Sequence, residues 1–107
     1  MEIIGDLKLY DWGKLGLCSE VAKLAKLNLN SFEPDENKPF AELWMGDHTS
    51  GPSILKSSGK SLSDFVLSDT DNIIGGMSKL PFLFKVLSIR KALSIQVHPS
   101  KVRALFP

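Results

Sequence analysis

Phe40-Ala41-Glu42-Leu43-Trp44-Met45-Gly46 is a run of bulky side chains with one charge, and Asp47-His48-Thr49-Ser50-Gly51-Pro52 directly after it is a cluster of turn formers. So short a run, closed off so sharply, reads as a strand. Further along the chain, residues 80–89 are nearly all apolar, with Lys85 inside, and Leu93-Ser94-Ile95-Gln96-Val97-His98 alternates strictly. Both read as strands, joined by a short connection at Arg90 and Lys91. Towards the N-terminus, Ile3, Ile4, Leu7 and Leu9, interrupted by Gly5 and Asp6, predict one or two more short strands, and Asp11, Gly13 and Gly16 mark turns around Trp12.

Two helices interrupt this pattern. Val21, Ala22, Leu24, Ala25 and Leu27 recur at helical spacing behind Ser19, whose hydroxyl is placed to cap an amphipathic helix of about two to three turns. Ser61-Leu62-Ser63-Asp64 is a capping-box-like start to a second helix, with Leu62, Phe65, Val66 and Ile73 on its apolar side and Gly75-Gly76 at its end. Residues 28–38, rich in Asn, Ser and Asp and followed by Pro39, read as a surface loop. The expected fold is therefore mainly β with a few short helices.

The 107 residues suit one domain, since compact domains most often run to about 100–150 residues. Thirteen Lys and Arg against twelve Asp and Glu give a charge of +1, too little net field to draw nucleic acid or an anionic membrane, so neither is expected as a partner. The single cysteine, Cys18, cannot form an internal bridge and reads as a packed or half-exposed thiol in a reducing compartment. The opening residues lack the pattern of a signal peptide, and the longest apolar run, 80–84, falls far short of the ~20 residues of a membrane span, which makes a cytoplasmic protein the expectation.

In the alternating strand, Ser94, Gln96 and His98 share one face and Leu93, Ile95 and Val97 the other. Gln96 and His98, two residues apart, suit shared ligation of a divalent ion such as zinc; on spacing alone the polar face of an edge strand is the favoured reading. Lys85 has two readings as well. Buried, it needs an anionic partner such as a phosphate; on an edge strand it simply faces water. Trp12 and Trp44 read as core, and His48 as a hydrogen-bonded loop residue. Gly75-Gly76 fits no phosphate-binding loop, and a GxSxG elbow is missing.

Taken in order, Tyr10-Asp11-Trp12-Gly13-Lys14, Ser19-Glu20-Val21-Ala22, residues 38–46, Leu80-Pro81-Phe82-Leu83-Phe84-Lys85-Val86-Leu87 and residues 93–101 resemble the N-terminal part of type I mannose-6-phosphate isomerases. The resemblance implies a zinc-dependent aldose–ketose isomerase on a cupin (jelly-roll-like) barrel. Such an enzyme interconverts mannose 6-phosphate and fructose 6-phosphate through a cis-enediol and feeds GDP-mannose synthesis. It implies zinc ligation by Gln96 and His98 and a sugar-phosphate pocket lined by Lys85 and Ser94, with Trp12 at its edge; no residue is assigned as catalytic base. The family's remaining zinc ligands, a Glu and a more distant His, have no counterparts in residues 1–107, and Val102-Arg103-Ala104-Leu105-Phe106-Pro107 depart from the family pattern. Asp47 and Thr49 also differ from the small residue and the Pro usual around the matched His48. The expectation is a truncated or alternatively ended chain, 1–107, forming an incomplete barrel with exposed sheet edges and inactive by itself. The alternative is a non-catalytic cupin fragment that binds metal or sugar phosphate. Oligomeric state is not legible.

Overall fold

The computed structural model describes residues 1–93. Seven short strands and three helices lie among them: β1 (Ile3–Ile4), β2 (Asp6–Lys8), β3 (Lys14–Leu15), α1 (Glu20–Asn28), β4 (Pro39–Phe40), β5 (Glu42–Met45), β6 (Ile54–Leu55), α2 (Leu62–Ser68), α3 (Thr70–Ile74) and β7 (Phe84–Leu87). A 3₁₀ turn, Gly16–Cys18, precedes α1. The mainly β expectation holds, and the sheets are open among the described residues, as expected of a partial barrel.

β5 is the middle of a three-stranded antiparallel sheet, β2-β5-β7. Its register sets Asp6, Leu7 and Lys8 opposite Trp44, Leu43 and Glu42, and sets Leu87, Val86, Lys85 and Phe84 opposite Glu42, Leu43, Trp44 and Met45. Because side chains alternate across a strand, this register sorts the sheet into two unlike faces. Leu7, Leu43, Met45 and Val86 fall on one, against Val21 and Ala22 of α1 and Phe40 and Phe32. Asp6, Lys8, Glu42, Trp44, Lys85 and Leu87 fall on the other.

Residues 39–45 change partner part-way: β4 pairs with β3, β5 with β2 and β7. Ala41 lies at the switch, its N–H donating to the Lys8 carbonyl (2.9 Å) and its carbonyl accepting from Ser88 N (2.9 Å). The switch lets Phe40 and Leu43, of opposite parity, pack into one cluster. Gly13 sits against it so closely that a Cβ would lie 2.6 Å from the Ala41 Cα, hence the glycine.

α1 starts where expected. The fully buried Ser19 hydroxyl accepts from Ala22 N (3.3 Å) and donates to the Phe40 carbonyl (2.7 Å), tying the helix to β4. Only the N-terminal half of its apolar face is covered: Val21 and Ala22 are fully buried, whereas Leu24 and Leu27 are exposed. A second cluster joins Leu55, Leu62 and Val66 to Ile3, Phe65, Ile73, Ile74 and Leu80.

Three expectations need correcting. The helix starting behind Ser61 does not run unbroken to Gly75; it is interrupted at Asp69 (φ −160°, ψ 75°), which separates α2 from α3, and Gly75 in the left-handed region (φ 69°) ends the second piece. Ser68 Oγ donates to the Phe65 carbonyl (2.6 Å) and Asp69 Oδ2 accepts from Asn72 Nδ2 (2.8 Å); short polar side chains that bond locally in this way compete with helix continuation. The strand expected over 80–89 is confined to β7, with Ile89 adding only a bridge to Gly13. Pro81 lacks an N–H for a ladder, and Leu80 N is spent on Asp47 Oδ2 (2.9 Å). Cys18 is exposed outright.

Candidate functional site

On the polar face of the central sheet, Trp44 is buried and its indole N–H donates to Glu42 Oε1 at 2.8 Å. The same oxygen lies 3.3 Å from Lys85 Nζ. Glu42 is 6% exposed, so an uncompensated charge there would be costly; the indole and the ammonium supply the compensation. Two ammonium groups lie over the Trp44 ring, Lys8 at 4.5 Å and Lys85 at 5.5 Å from its centroid, within cation–π range. Lys8 is fully engaged: it pairs with Asp6 Oδ2 (3.0 Å) and donates to the Ser50 carbonyl (2.7 Å). Lys85 is less confined, its side chain 41% exposed, with Glu42 as its one charged partner among the described residues.

Trp12 and Tyr10 complete the setting, with ring centroids 6.0 Å apart. Trp12 rides on the turn closed by Gly13 N donating to the Tyr10 carbonyl (3.0 Å) and is half-buried. Together with Glu42, Trp44, Lys85, Leu87 and Leu93 these rings line an open concavity of about 490 Å³. An aromatic wall beside a solvent-reaching ammonium suits a ligand with an apolar face and an anionic group. A smaller hollow of about 280 Å³ near His48 and Lys79 is a weaker candidate, because its Asp47 carboxylate already holds Leu80 N.

Of the residues singled out in the sequence, Lys85 and Trp12 meet in this concavity. Both readings of Lys85 apply in part: it has an anionic partner, Glu42, and it reaches water. The core reading of the tryptophans holds for the buried Trp44 but not for the half-buried Trp12, which lines the opening. His48 is the loop residue expected, its Nδ1 accepting from Ser50 N (3.0 Å) and its ring edge-on to Trp44 (5.2 Å). Ser94, Gln96 and His98 lie outside the described residues. Among the described residues no group of three or more His, Cys, Asp or Glu is placed to hold a metal ion. The concavity offers one carboxylate, already committed to an indole and an ammonium, so zinc does not fit the described part.

Sequence reading passed over Glu42 as a site residue, and Trp44 as a lining one. The signal was present: within Glu42-Leu43-Trp44-Met45, period-two alternation sets the acid and the indole on one face and the two aliphatics on the other.

A β-sheet with one face on a helix and the other lined with charge and indole, left open at its edges, defines part of a cupin-type domain. The family model of the phosphomannose isomerase type I catalytic domain matches residues 1–106, and the chain belongs to that family. It is 52% identical to the mannose-6-phosphate isomerase of Schizosaccharomyces pombe over 99 residues, which are 90% of this chain and 24% of that protein. Against the Saccharomyces cerevisiae mannose-6-phosphate isomerase the identity is 45% over 100 residues, 86% of this chain and 23% of that protein. Among solved structures, a mutant phosphomannose isomerase from Salmonella typhimurium superposes with a TM-score of 0.72 at 34% identity, over 95% of this chain and 26% of that one. A zinc-bound mannose 6-phosphate isomerase gives 0.69 at 34% identity, over 95% and 26%. The chain spans about a quarter of the length of the relatives it matches.

Proposed function

We propose that residues 1–107 supply the floor and one wall of the sugar-phosphate site of a mannose-6-phosphate isomerase, the enzyme activity belonging to a protein of its relatives' length. The observation that carries this reading is the meeting of the half-exposed Lys85 ammonium with Trp12 and Trp44 in one concavity. Lys85 pairs with the phosphate or a sugar oxygen of mannose 6-phosphate, the indoles pack on the apolar face of the ring, and Glu42 holds both the ammonium and the Trp44 N–H in place. Ser94 joins the lining. Gln96 and His98 donate two of the zinc ligands, and the rest come from sequence beyond this chain.

Zinc held in part by Gln96 and His98 would supply Lewis-acid polarisation of substrate oxygens to the isomerisation, which we read as a proton transfer between C1 and C2 by way of a cis-enediol in the supply of GDP-mannose synthesis. The residues of this chain bind and orient the substrate and assign no base. Two donors do not complete a catalytic zinc site, which ordinarily has at least three protein ligands, so residues 1–107 alone bind without turnover.

Calorimetric titration of the 107-residue chain with mannose 6-phosphate tests the reading. Lys85→Ala is expected to weaken binding at least about tenfold, the effect of losing one charge-assisted contact. Lys56→Ala, which breaks only the surface pair with Glu2, should leave it unchanged. Equal affinity in the two variants would remove Lys85 from the site, and rapid turnover by the isolated chain would overturn the division of labour.

A further inference from the structure

Residue 90 reaches the Trp12 turn three times. Arg90 Nη2 donates to the Asp11 carbonyl at 2.9 Å, Arg90 N to the Trp12 carbonyl at 2.8 Å, and Arg90 Nε to the Gly13 carbonyl at 3.1 Å. Three successive carbonyls are thus satisfied by one residue 77 to 79 positions away along the chain. Lys91 reinforces it: its N–H also reaches the Trp12 carbonyl (3.3 Å), and its Nζ lies 3.0 Å from Asp11 Oδ2. The Gly13–Ile89 bridge and the bond from Lys14 N to the Ser88 carbonyl (3.2 Å) bring the two segments together at the same level.

Such a turn, with one internal hydrogen bond and an aromatic residue near its tip, would otherwise be among the softer parts of a fold. A guanidinium is a planar, pre-organised fork that spans two acceptors at once, whereas an ammonium on a flexible stem is a point donor. Geometry matters here because Trp12 faces the concavity from a turn, while Lys85 and Leu87 face it from β7, and residues 88–91 are the continuation of that strand.

We propose that Arg90 is a positioning residue for substrate binding. By fixing the carbonyls of Asp11, Trp12 and Gly13 it locks the Trp12 indole in place relative to Lys85, without itself contacting the sugar phosphate. The proposal rests on the site described under the proposed function, and its test separates the two.

The chain has two tryptophans, so a ¹⁵N–¹H spectrum of the 107-residue protein carries two indole resonances, assignable with Trp12→Phe. The Trp44 resonance, held by Glu42, serves as the internal control for folding. Arg90→Ala is expected to move or broaden the Trp12 resonance and to raise its quenching by acrylamide while Trp44 stays put; Arg90→Lys, which keeps the charge but not the fork, should do the same. Mannose 6-phosphate added to the wild type should shift Trp12, and either variant should weaken that binding about tenfold, the equivalent of about 1.4 kcal/mol. If Arg90→Ala loses the Trp44 resonance as well, the comparison is carried by Arg90→Lys. An unmoved Trp12 resonance in a folded variant overturns the positioning role whatever the ligand does. A Trp12 that moves in the variants yet ignores mannose 6-phosphate in the wild type overturns the substrate site instead, and with it any role of Arg90 towards substrate.

Discussion

Glu42 has its side chain almost wholly removed from water between a buried indole and a half-exposed lysine, and the two contacts differ in worth. The pair with Lys85 is screened on the lysine side and contributes at most about 1 kcal/mol. The bond from the Trp44 N–H matters more, because an orphaned buried donor costs about 1–3 kcal/mol. Glu42→Gln, which keeps an acceptor, is therefore expected to destabilise by about 1 kcal/mol, and Glu42→Ala by about 2–3 kcal/mol, read as midpoints in urea unfolding. Equal losses would show that charge, not the indole bond, is what Glu42 provides. The alternation of Glu42-Leu43-Trp44-Met45 was legible from the start, but which parity meets solvent was not. That depends on pairing with β2 and β7, partners more than thirty residues away in the chain. Lys85 was recognisable because a lysine inside an apolar run is conspicuous by itself; Glu42 needed its neighbours.

Local hydrogen bonding made the element starts legible and tertiary demands hid their ends. Ser19 and Ser61 each accept from an N–H three residues on, a relation contained within one turn of chain, and both caps are where the sequence places them. The break at Asp69 and the shortening of the 80–89 strand to β7 combine local chemistry, the Ser68 and Asp69 side-chain bonds and the missing N–H of Pro81, with distant partners: Asp47 takes Leu80 N, and Ile73 and Leu80 pack on a cluster built from β6 and α2. The two caps also differ in depth. Ser19 is fully buried and its hydroxyl additionally donates to the Phe40 carbonyl, whereas the hydrogen bond at Ser61 is exposed. Ser61→Ala should cost about 1 kcal/mol, the usual worth of an N-cap. Ser19→Ala should cost about 2–3 kcal/mol, because a buried carbonyl loses its donor as well. Urea midpoints of the two variants in the reverse order would mean that the link between α1 and β4 contributes nothing beyond the cap.

At the scale of the whole molecule, the described residues leave many large apolar side chains in water. Phe82, Phe84, Leu87 and Ile89 are 62%, 58%, 40% and 46% exposed along β7 and its flanks, and Leu24 and Leu27 lie open on α1. The relatives are about four times longer, so in them further chain is available to cover equivalent surfaces. Residues 1–107 expressed alone should then bind a hydrophobic dye such as 8-anilinonaphthalene-1-sulfonate strongly and self-associate as concentration rises, since apolar patches of this extent are interaction surfaces. Phe84→Lys, on a strand residue whose side chain is mostly in water, should reduce both effects at little cost in stability. Sedimentation of the wild-type chain as a single monomer at high concentration, with no dye response, would mean that the apolar side chains along β7 are covered within the 107 residues themselves.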